Sequence, residues 1–367
     1  MKWVYLADSI IPSRAANSIH VMKMCNALAN IGYEVTLVAP KYTLIKQEDF
    51  VRDIFEFYGV EPNFSIQFIS FPNIRGNVFW RAIKSARLAK KIAPEIVYSR
   101  DLWGSIFSTR FGLSVAHEFH GTPKKYFWIK GFLVDRFHKS KRLTKSVVIS
   151  QALKNIFIKE GFEAKNLMVA HDAADENIGP PASLGAGFHV GYVGHLYKGR
   201  GVDFILEMAK RLPNVIFHLI GGTEKDIAYF KSKSVGNNVV FHGFLRPADV
   251  GAYRMAMDIL IAPYQKVVGI WGGARDTSAY MSPLKIFEYM SAGKAIISSD
   301  LPVLREVLNE NNAILCPPDN LDRWVESINQ LAIDSEKRLK LGKACYADYV
   351  NKYTWEIRAR NIATKLI

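Results

Sequence analysis

The sequence predicts an α/β fold made of two parallel-sheet domains in succession. Short apolar runs of strand length alternate with helical periods through the first 170 residues, and this alternation restarts at residue 188. Between the two blocks lies "HDAADENIGPPASLGAG" (171–187), which is rich in Pro, Gly and Ala and has no hydrophobic period. A chain of 367 residues is also longer than one hydrophobic core usually supports.

These observations divide the chain into four segments. We predict an N-terminal domain over residues 1–172, a linker over 173–187, a C-terminal domain over 188–350 and a C-terminal helix over 351–367. Strands that alternate with helices are typical of a parallel sheet covered by helices on both faces.

The N-terminal domain begins with a βαβ unit. "WVYLA" (3–7) reads as a buried strand, the apolar spacing over 18–31 predicts a helix that stops at Gly32, and "YEVTLVA" (33–39) is the next strand. The later elements of this domain are strands at 64–71, 95–100, 114–121 and 146–150 and a helix near 78–92.

The C-terminal domain repeats the pattern. Its predicted strands cover 188–194, 215–222, 239–245, 258–264 and 295–300, and its first helices cover 202–212 and 247–256. A short helix begins near residue 282, and "YTWEIRARNIATKLI" (353–367) has the period of a final amphipathic helix.

The net charge of +14 favours anionic partners. The excess is concentrated in "FWRAIKSARLAKKI" (79–92) and in residues 123–145, where eight Lys and Arg face one acid among several aromatic residues. Both stretches could rest on an anionic membrane surface, and a solvated basic face is the alternative. No recognised motif supports nucleic-acid binding, so we expect no nucleic acid as a partner.

Compartment signals point to the cytoplasm. The first ten residues do not form a secretory signal, because their apolar run is short and leads straight into Asp8. No stretch reaches the roughly 18 apolar residues that a membrane span requires. Three cysteines without metal-ligand spacing are typical of a reducing compartment. We expect a cytoplasmic protein, with peripheral contact at the inner face of the membrane if the basic stretches bind there.

A lysine and a glutamate stand out inside "SPLKIFEYMSAGKAIISSDLPVLREVL" (282–308). Ser282 is a good N-cap, Pro283 suits the first helical position and Gly293 is placed to end the helix, which predicts about ten helical residues. Lys285 then lies in the first turn, where a cation opposes the helix dipole. Glu288 lies three residues later on the same face.

Two interpretations fit this pair. One is a solvent-facing ion pair, which stabilises a helix little. The other is an anion site, in which the ammonium of Lys285 and the free N–H groups of Leu284 and Lys285 hold a diphosphate while Glu288 reaches an attached ribose. We favour the anion site, at the carboxyl ends of the strands. The chain has no GxGxxG after its first strand and no P-loop, which argues against a dehydrogenase or a P-loop NTPase.

The chain resembles the retaining GT-B glycosyltransferases, specifically the large family 4 group. The passage at 282–308 is similar to the family's donor-binding helix and the strand after it. "GYVGHLYKGRGVDFILEMAKRLPNVIFHLIGG" (191–222), residues 238–264 and residues 14–40 resemble three further family segments. The resemblance covers essentially the whole chain. It implies two Rossmann-like domains that face each other across a cleft, with a C-terminal helix that crosses back to the N-terminal domain.

The resemblance also implies residue roles. Glu288 matches the second Glu of the family's E-x7-E motif, and His120 matches the N-domain histidine that faces the donor sugar. In "GHLYKGRG", Arg200 takes the place of the family's phosphate-binding Lys, and His195 that of its Arg. The implied catalytic residues are His120, Arg200 and Glu288. The implied donor-binding residues are His195, Lys198, Phe244, Arg246, Tyr280, Ser282, Leu284 and Lys285, and the acceptor-side loop contains Arg14 and Asn17.

The sequence departs from the family pattern at two places. Tyr280 stands where the family has the first Glu of E-x7-E, so contacts with the sugar hydroxyls must differ, and nearby Asp276 is a candidate substitute. The usual Gly-rich first loop is replaced by "SRAANS" (13–18). His117, Glu118 and His120 could be read as metal ligands, but further spaced ligands are missing. The family expectation is metal-independent transfer without a cofactor.

The resemblance predicts transfer of a sugar from a nucleotide diphosphate sugar to a glycan or lipid-linked acceptor. Synthesis of cell-surface polysaccharide, lipopolysaccharide or glycolipid is the expected context. Two alternatives stay open: a nucleotide-sugar epimerase on the same fold, which needs no acceptor, and a catalytically silent subunit that binds nucleotide sugar.

Overall fold

The computed structural model of the protein describes residues 1–41, 53–70, 77–122, 129–269 and 276–367, and for 129–131 the backbone alone. The chain forms two compact units. The N-terminal unit contains Met1–Asp172 and Trp355–Ile367, and the C-terminal unit contains Ala173–Thr354. No helix in the described ranges is long and apolar enough to cross a membrane.

The described residues of the N-terminal unit contain a sheet of seven parallel strands. In chain order the strands are β1 (Lys2–Leu6), β2 (Glu34–Lys41), β3 (Ser65–Ser70), β4 (Ile96–Ser99), β5 (Val115–Phe119), β6 (Leu143–Val148) and β7 (Leu167–Val169). Their spatial order is β3-β2-β1-β4-β5-β6-β7. β1 therefore lies at the centre, where Trp3 pairs with Val35 on one side and with Ile96 on the other.

Helices connect these strands. They are α1 (Ala16–Asn30), α2 (Ile54–Tyr58), α3 (Asn77–Ile92), α4 (Leu102–Arg110), α5 (Ile129–His138) and α6 (Gln151–Lys159). The Asp101 carboxylate caps α4 by accepting hydrogen bonds from the N–H groups of Trp103 and Gly104. α4 packs against both α3 and α5. Right-handed crossovers place these three helices on one face of the sheet.

The C-terminal unit contains a parallel sheet of six strands among its described residues. The strands are β8 (Phe188–Val193), β9 (Val215–Ile220), β10 (Val239–Gly243), β11 (Ile259–Ala262), β12 (Ala295–Ser299) and β13 (Ile314–Cys316). Their spatial order is β10-β9-β8-β11-β12-β13. The order reverses between β8 and β11, and such a switch point is where open α/β sheets bind ligands.

The helices of the C-terminal unit are α7 (Val202–Arg211), α8 (Glu224–Lys233), α9 (Val250–Ala256), α10 (Leu284–Ser291), α11 (Leu321–Ile333) and α12 (Ser335–Lys352). The side chains of Trp324, Phe217 and Ile205 are fully buried in the core between this sheet and its helices. The segment 173–187 packs with this unit, where Ala174 bridges to Thr354 and the Ala182 N–H donates to the Ala252 carbonyl.

The last helix, α13 (Trp355–Leu366), belongs to the N-terminal unit and packs against α1. Two parallel-sheet α/β domains and a returning C-terminal helix were the expected fold class, and this prediction is confirmed. Helices α2, α4, α5, α6, α8, α11 and α12 were not predicted, and neither were the strands β7 and β13, which have only three residues each.

The predicted start of α10 is wrong by one residue. Pro283 has an extended backbone (φ −80°, ψ 120°) and occupies the cap position, where its own side chain makes no capping hydrogen bond. Proline restricts φ but leaves ψ free, so it can precede a helix as well as begin one. Ser282 is instead buried. Gly293 follows the helix in the left-handed region (φ 64°), as predicted, and the helix has eight residues.

Candidate functional site

The first candidate site lies at the switch point of the C-terminal sheet. Tyr289 of α10 fixes the helix there, because its hydroxyl accepts a hydrogen bond from the Val193 N–H at 2.8 Å and donates to the Ile261 carbonyl at 3.3 Å. These bonds hold α10 over the carboxyl ends of β8 and β11. The first helical N–H groups, those of Leu284 and Lys285, have no partner within the helix.

The Lys285 side chain is buried against aromatic rings at this point. Its Nζ lies 3.8 Å from the ring centroid of Tyr192 and 5.1 Å from that of Tyr264. Gly194 makes room for it, since a Cβ at Gly194 would lie 2.9 Å from Nζ. Within the described residues, this buried ammonium has no hydrogen-bond partner. Cation–π contact compensates only part of the lost hydration.

Arg200 supplies a second cation beside Lys285. Its guanidinium carbon lies 5.3 Å from the Tyr264 centroid, so both cations approach the same ring. The Nε of Arg200 is buried and, in the part of the chain that the structure describes, unpaired. Burial first and Arg200 second lower the pKa of Lys285 well below the usual lysine value, although the Glu288 carboxylate raises it. The pocket is therefore short of negative charge.

A glycine brings the loop that carries Arg200 against the neighbouring backbone. Gly201 has φ +83°, and a Cβ there would lie 2.0 Å from the Pro263 carbonyl oxygen. Any other residue would push the loop away from Pro263. The neighbouring Lys198 side chain is exposed, and its carbonyl accepts a hydrogen bond from the Gly269 N–H at 3.3 Å.

His195 stands in the same loop and is a neutral group near neutral pH. Burial, followed by the charges of Arg200 and Lys285, lowers its pKa to about 4. Its ring stacks on Tyr197 with a centroid separation of 4.6 Å. At the position that resembles the family's Arg, this chain therefore offers a hydrogen-bonding ring in place of a charge.

Glu288 does not form a solvent-facing ion pair with Lys285. Its Oε2 lies 3.5 Å from Nη1 of Arg254 on α9, and the Glu288 side chain is 25% exposed. Arg254 also donates to the Asn177 Oδ1 at 3.2 Å, and Asn177 donates to the Ser291 hydroxyl at 2.8 Å. Arg254 could not be singled out from the sequence, because nothing in its helix distinguishes this arginine from a surface charge.

The remaining residues predicted to bind the donor differ in burial and in their hydrogen-bond partners. Tyr280 and Ser282 are buried before α10, and Phe244 is half-buried after β10. Arg246 forms a surface pair with Asp249, with Nε–Oδ2 and Nη2–Oδ1 distances of 2.6 and 3.0 Å. Asp276, the candidate substitute for the missing Glu, accepts N–H bonds from Val268 and Ser278 and so holds its own loop.

The second candidate site lies in the N-terminal unit, at the end of β5. His120 follows that strand, and its Nε2 contacts the Oε1 of the fully buried Glu118. His20 of α1 approaches the same oxygen with its Nε2, at 3.0 Å, and its Nδ1 lies 2.9 Å from the Asp172 Oδ1. Trp355 of α13 meets the His20 ring edge-on at 5.0 Å. His120 and Glu118 were singled out from the sequence, whereas His20, Asp172 and Trp355 were not.

The second oxygen of Glu118 is also fully engaged. Arg358 of α13 places Nη2 at 3.1 Å from Oε2, and the Tyr98 hydroxyl donates to the same oxygen. Burial alone would raise the pKa of Glu118, but the Arg358 guanidinium and the two imidazoles outweigh it and hold the pKa well below the usual value. Glu118 is therefore an ionised, buried carboxylate.

Other predicted residues of the N-terminal unit lie elsewhere. His117 turns away from Glu118 and contacts the Ser105 hydroxyl at 2.8 Å, so it is not part of a cluster with His120. Arg14 is exposed before α1. Asn17 lies in the first turn of α1, where its buried Oδ1 has no hydrogen-bond partner among the described residues. The ligand atoms of His20, Glu118 and His120 lie within 4.8 Å of one another and could hold a metal ion.

Comparison with known proteins gives two family matches. Residues 187–334 match the family described as glycosyl transferases group 1, and residues 18–177 match the family described as glycosyltransferase family 4. The two matches cover different parts of the chain and together most of it.

Two curated relatives each match only part of the chain. Spore coat protein SA of Bacillus subtilis is 27% identical over 47% of this chain and 46% of its own length. The putative teichuronic acid biosynthesis glycosyltransferase TuaH of Bacillus subtilis is 27% identical over 32% of this chain and 28% of its own. The matched region is thus less than half of each relative.

Among solved structures, Anabaena Alr3699/HepE in complex with UDP is similar over the full chain. The TM-score is 0.74 with 16% identity, and the match covers 100% of this chain and 99% of HepE. At this identity the likeness concerns the fold.

Proposed function

Because the chain belongs to the group 1 glycosyltransferases of GT-B fold, we propose that it transfers a sugar from a nucleotide diphosphate donor to an acceptor hydroxyl with retention of anomeric configuration. One observation supports this above the others: the buried Lys285 ammonium at the start of α10 has no hydrogen-bond partner in the described residues. Leaving such a group unsatisfied is costly, so the site is built for a ligand that supplies negative charge.

A diphosphate fits the donors around Lys285. The N–H groups of Leu284 and Lys285 face outward from the helix start, and the Arg200 guanidinium lies beside the same Tyr264 ring. As the glycosidic bond breaks, negative charge develops on the leaving diphosphate, and preorganised cations stabilise it. In this proposal Glu288, one turn further along α10, binds the ribose, and Arg254 fixes its carboxylate.

The relatives support the substrate classes. HepE was crystallised with UDP and with UDP-glucose, which favours a nucleotide diphosphate sugar as the donor here. The names of TuaH and spore coat protein SA favour a cell-surface polymer as the product. We propose a glycan or lipid-linked acceptor bound by the N-terminal unit, in polysaccharide, lipopolysaccharide or glycolipid synthesis.

We propose that transfer requires no metal or cofactor. The two oxygens of Glu118 already face polar groups of four side chains, which leaves this carboxylate little capacity to coordinate an ion. Turnover should be unchanged after exhaustive treatment with EDTA. A loss of activity that Mg²⁺ or Zn²⁺ restores would contradict the proposal.

The direct test uses a panel of nucleotide diphosphate sugars with and without membrane extract as the source of acceptor. We expect release of nucleoside diphosphate that depends on the extract, and large losses for Arg200→Ala and Glu288→Ala. Wild-type turnover in either variant would refute the site. Conversion of donor without acceptor would indicate an epimerase, and binding without turnover a silent subunit.

We further propose peripheral binding to an anionic membrane through α3 and α5. Phe79 and Trp80 on α3 are 45% and 56% exposed, and Phe132 on α5 is 67% exposed. Exposed cations accompany them at Lys84, Arg87, Lys90, Lys91, Arg136, Lys139, Lys141 and Arg142. Because α4 packs against both helices, the two stretches lie on one face of the sheet. Residues 123–128 lie outside the described residues.

Flotation with phosphatidylglycerol-containing vesicles tests the membrane proposal. We expect binding at low salt that weakens at high salt, since surface charge is screened. The double variant Phe79→Ser/Trp80→Ser should bind less, whereas Tyr229→Ser, which alters an exposed aromatic residue of the C-terminal unit, should bind like the wild type. Absence of binding at low salt would refute it.

A further inference from the structure

Three histidines on neighbouring strands of the C-terminal sheet form a hydrogen-bonded row. His189 lies on β8, His218 on β9 and His242 on β10. The His189 Nδ1 is 3.0 Å from the His218 Nε2, and the His218 Nδ1 is 2.9 Å from the His242 Nε2. His189 and His218 are each 4% exposed, whereas His242 is half-buried. We call these three side chains the histidine row.

One end of the histidine row defines the direction of its hydrogen bonds. The His189 Nε2 lies 3.3 Å from the Gly185 carbonyl oxygen, which can only accept. Each neutral imidazole carries one proton, so a His189 ring that donates from Nε2 accepts at Nδ1 from the His218 Nε2. By the same reasoning, the His242 Nε2 donates to the His218 Nδ1. The neutral row therefore has all three protons on Nε2, and the His242 Nδ1 keeps a lone pair outside the row.

This geometry limits how many protons the histidine row can hold. One additional proton fits on the His242 Nδ1 without breaking a hydrogen bond, and its charge can be shared along the row as each N–H···N contact shifts its proton. A second additional proton would place two N–H groups against each other in one contact, and those rings must then separate. The contact between His218 and His242 should separate first, because water can solvate the more exposed His242.

Tyr253 and Asp258 are the titratable neighbours of the histidine row in the described residues. Tyr253 of α9 meets the His242 ring edge-on, with the ring centroids 5.1 Å apart. The carboxylate of Asp258, which follows α9, accepts a hydrogen bond from the His189 backbone N–H at 2.8 Å. Arg254, the charged residue of α9, is engaged in its ion pair with α10. The helices α7 and α8 pack against the apolar opposite face of this sheet.

Burial keeps the histidine row neutral near neutral pH. It lowers the pKa of His218 to about 4, with the charges of His242 and His189 adding to the effect, and it also lowers the pKa of His242. An imidazole in the unfolded chain has a pKa of about 6.5. The stability that these two histidines contribute is therefore fully present above about pH 6.5 and is lost as pH falls toward their folded pKa values.

We propose that the histidine row is a pH-sensitive contact that holds the edge strand β10 in the C-terminal sheet at neutral pH and releases it in acid. β10 pairs with β9 alone, so the row adds a side-chain connection to a strand that is hydrogen-bonded on one side. Phe244 and Arg246, which are predicted to bind the donor, follow β10 directly. The contact is a property of the fold, and it stands whether or not the chain transfers sugar.

Hydrogen exchange of the full-length protein, read by mass spectrometry, tests the release. The opposite edge strand of the same sheet, β13, contains no histidine and is the matched control. The released imidazoles take up protons below about pH 6.5, so acid favours the open state. After correction for intrinsic exchange, we expect the protection of β10 to fall at least about 10-fold more than that of β13 between about pH 7.5 and about pH 5. Equal losses at the two edges would overturn the proposal.

The variant His242→Gln tests whether the histidine row causes the acid sensitivity. The glutamine amide can donate to the His218 Nδ1 as the imidazole does, but it takes up no proton. We expect β10 to keep its protection at about pH 7.5 and to lose most of its additional sensitivity to acid. His138→Gln, which replaces a histidine of the N-terminal unit whose pKa burial also lowers to about 4, should leave β10 as in the wild type. A β10 strand that stays as acid-sensitive in His242→Gln as in the wild type would refute the proposal.

Nitrogen-15 NMR of the wild-type protein with labelled histidines tests the direction of the row without any variant. We expect two couplings through hydrogen bonds that link three of the nine imidazoles, each from a protonated Nε2 to an unprotonated Nδ1. Both couplings should persist when the first additional proton binds. The absence of these couplings, or protons on Nδ1 at neutral pH, would overturn the proposal. If His242→Gln fails to fold, this spectrum and the comparison of β10 with β13 still decide.

Discussion

At the scale of single residues, Lys285 lies where its charge destabilises the ligand-free protein. Its ammonium is buried beside Arg200 and has no hydrogen-bond partner in the described residues. It also lies in the first turn of α10, where the helix dipole disfavours a cation. Such a residue persists when function requires it, because stability and ligand binding make opposite demands on it.

We expect Lys285→Met to stabilise the ligand-free protein by about 1–3 kcal/mol, since it removes an unsatisfied buried cation of similar shape. The same variant should lose the stabilisation that a nucleoside diphosphate gives the wild type. That stabilisation is about 2.7 kcal/mol when the nucleotide concentration is 100 times Kd, and it is measured as a rise in Tm. Lys340→Met, an exposed position on α12, is the charge-matched control and should change neither quantity. A destabilised Lys285→Met protein that still binds the nucleotide would contradict the anion site.

Nucleotide binding should also take up a proton. Burial and Arg200 lower the pKa of Lys285 in the free protein, and a bound diphosphate would raise it. Between the free and bound pKa values, the affinity should fall as pH rises, because the binding reaction consumes a proton. Calorimetry in buffers of different ionisation enthalpy, above pH about 7.5 where phosphates are fully ionised, measures the uptake. Proton release, or uptake that survives in Lys285→Met, would rule out Lys285 as the source.

The sequence could predict Lys285 because its anomaly is local. A cation in the first turn of an apolar helix is unusual in its own helix, whatever surrounds it. The partners of Glu288 and His120 could not be predicted in this way. Arg254, His20 and Arg358 are ordinary within their own helices and acquire their roles only through contacts that the tertiary fold creates.

At the scale of elements, the loop after β8 positions Arg200 through close backbone contact. Gly201 and Gly185 have nearly the same φ angle, +83° and +86°. They differ in their surroundings, because a Cβ at Gly201 would lie 2.0 Å from the Pro263 oxygen, whereas a Cβ at Gly185 would meet no described atom within 4 Å. The two glycines therefore separate the cost of the left-handed backbone from the cost of a collision.

Substitution of the two glycines tests the loop. Gly185→Ala should cost about 1–2 kcal/mol, the usual penalty for an L-residue in the left-handed region, and should leave nucleotide affinity unchanged. Gly201→Ala should cost more and should weaken nucleotide binding at least about 10-fold, because Arg200 moves with the loop. Chemical denaturation and calorimetry measure both effects. Equal losses in the two variants would show that the contact with Pro263 is unimportant.

The hydrophobic pattern of the sequence predicts where the strands and helices lie. Their first and last residues depend on local backbone geometry, which the pattern does not determine. The buried strands β1, β2 and β8 lie within a residue or two of their predicted limits, because continuous apolar runs bounded by turns are distinctive. The start of α10 differs because Pro283 could precede or begin the helix, and only its ψ angle decides. The segment 173–187 lacks regular structure, yet Asn177 within it ties α9 to α10.

At the scale of the whole molecule, residues from distant parts of the chain share one buried charge network. Arg358 is 4% exposed and pairs with the fully buried Glu118. The sequence predicted the last helix from its amphipathic period, and the resemblance implied its return to the N-terminal domain. No local pattern could identify Arg358 as the partner of Glu118.

We expect Arg358→Met to destabilise the N-terminal unit by about 3–5 kcal/mol, because it leaves a buried carboxylate without its guanidinium. Arg358 lowers the pKa of Glu118 in the folded state, so its contribution is present at neutral pH and is lost as pH falls below the ordinary glutamate value, about 4.3. The difference in unfolding free energy between wild type and variant should therefore shrink in acid.

The control variant is Arg360→Met, on the same helix and 63% exposed, which should lower the unfolding free energy by less than about 1 kcal/mol. Urea unfolding across this pH range measures both, and a difference that grows in acid would contradict the pairing.

The return of α13 has a consequence for synthesis on the ribosome. The N-terminal unit comprises Met1–Asp172 and also Trp355–Ile367, so α13 is translated only after the whole intervening unit. At about 5–20 residues per second, the 182 residues of the intervening unit take on the order of ten seconds to emerge. Throughout that interval the Glu118 carboxylate lacks the Arg358 guanidinium, and the N-terminal unit remains incomplete until α13 has been synthesised.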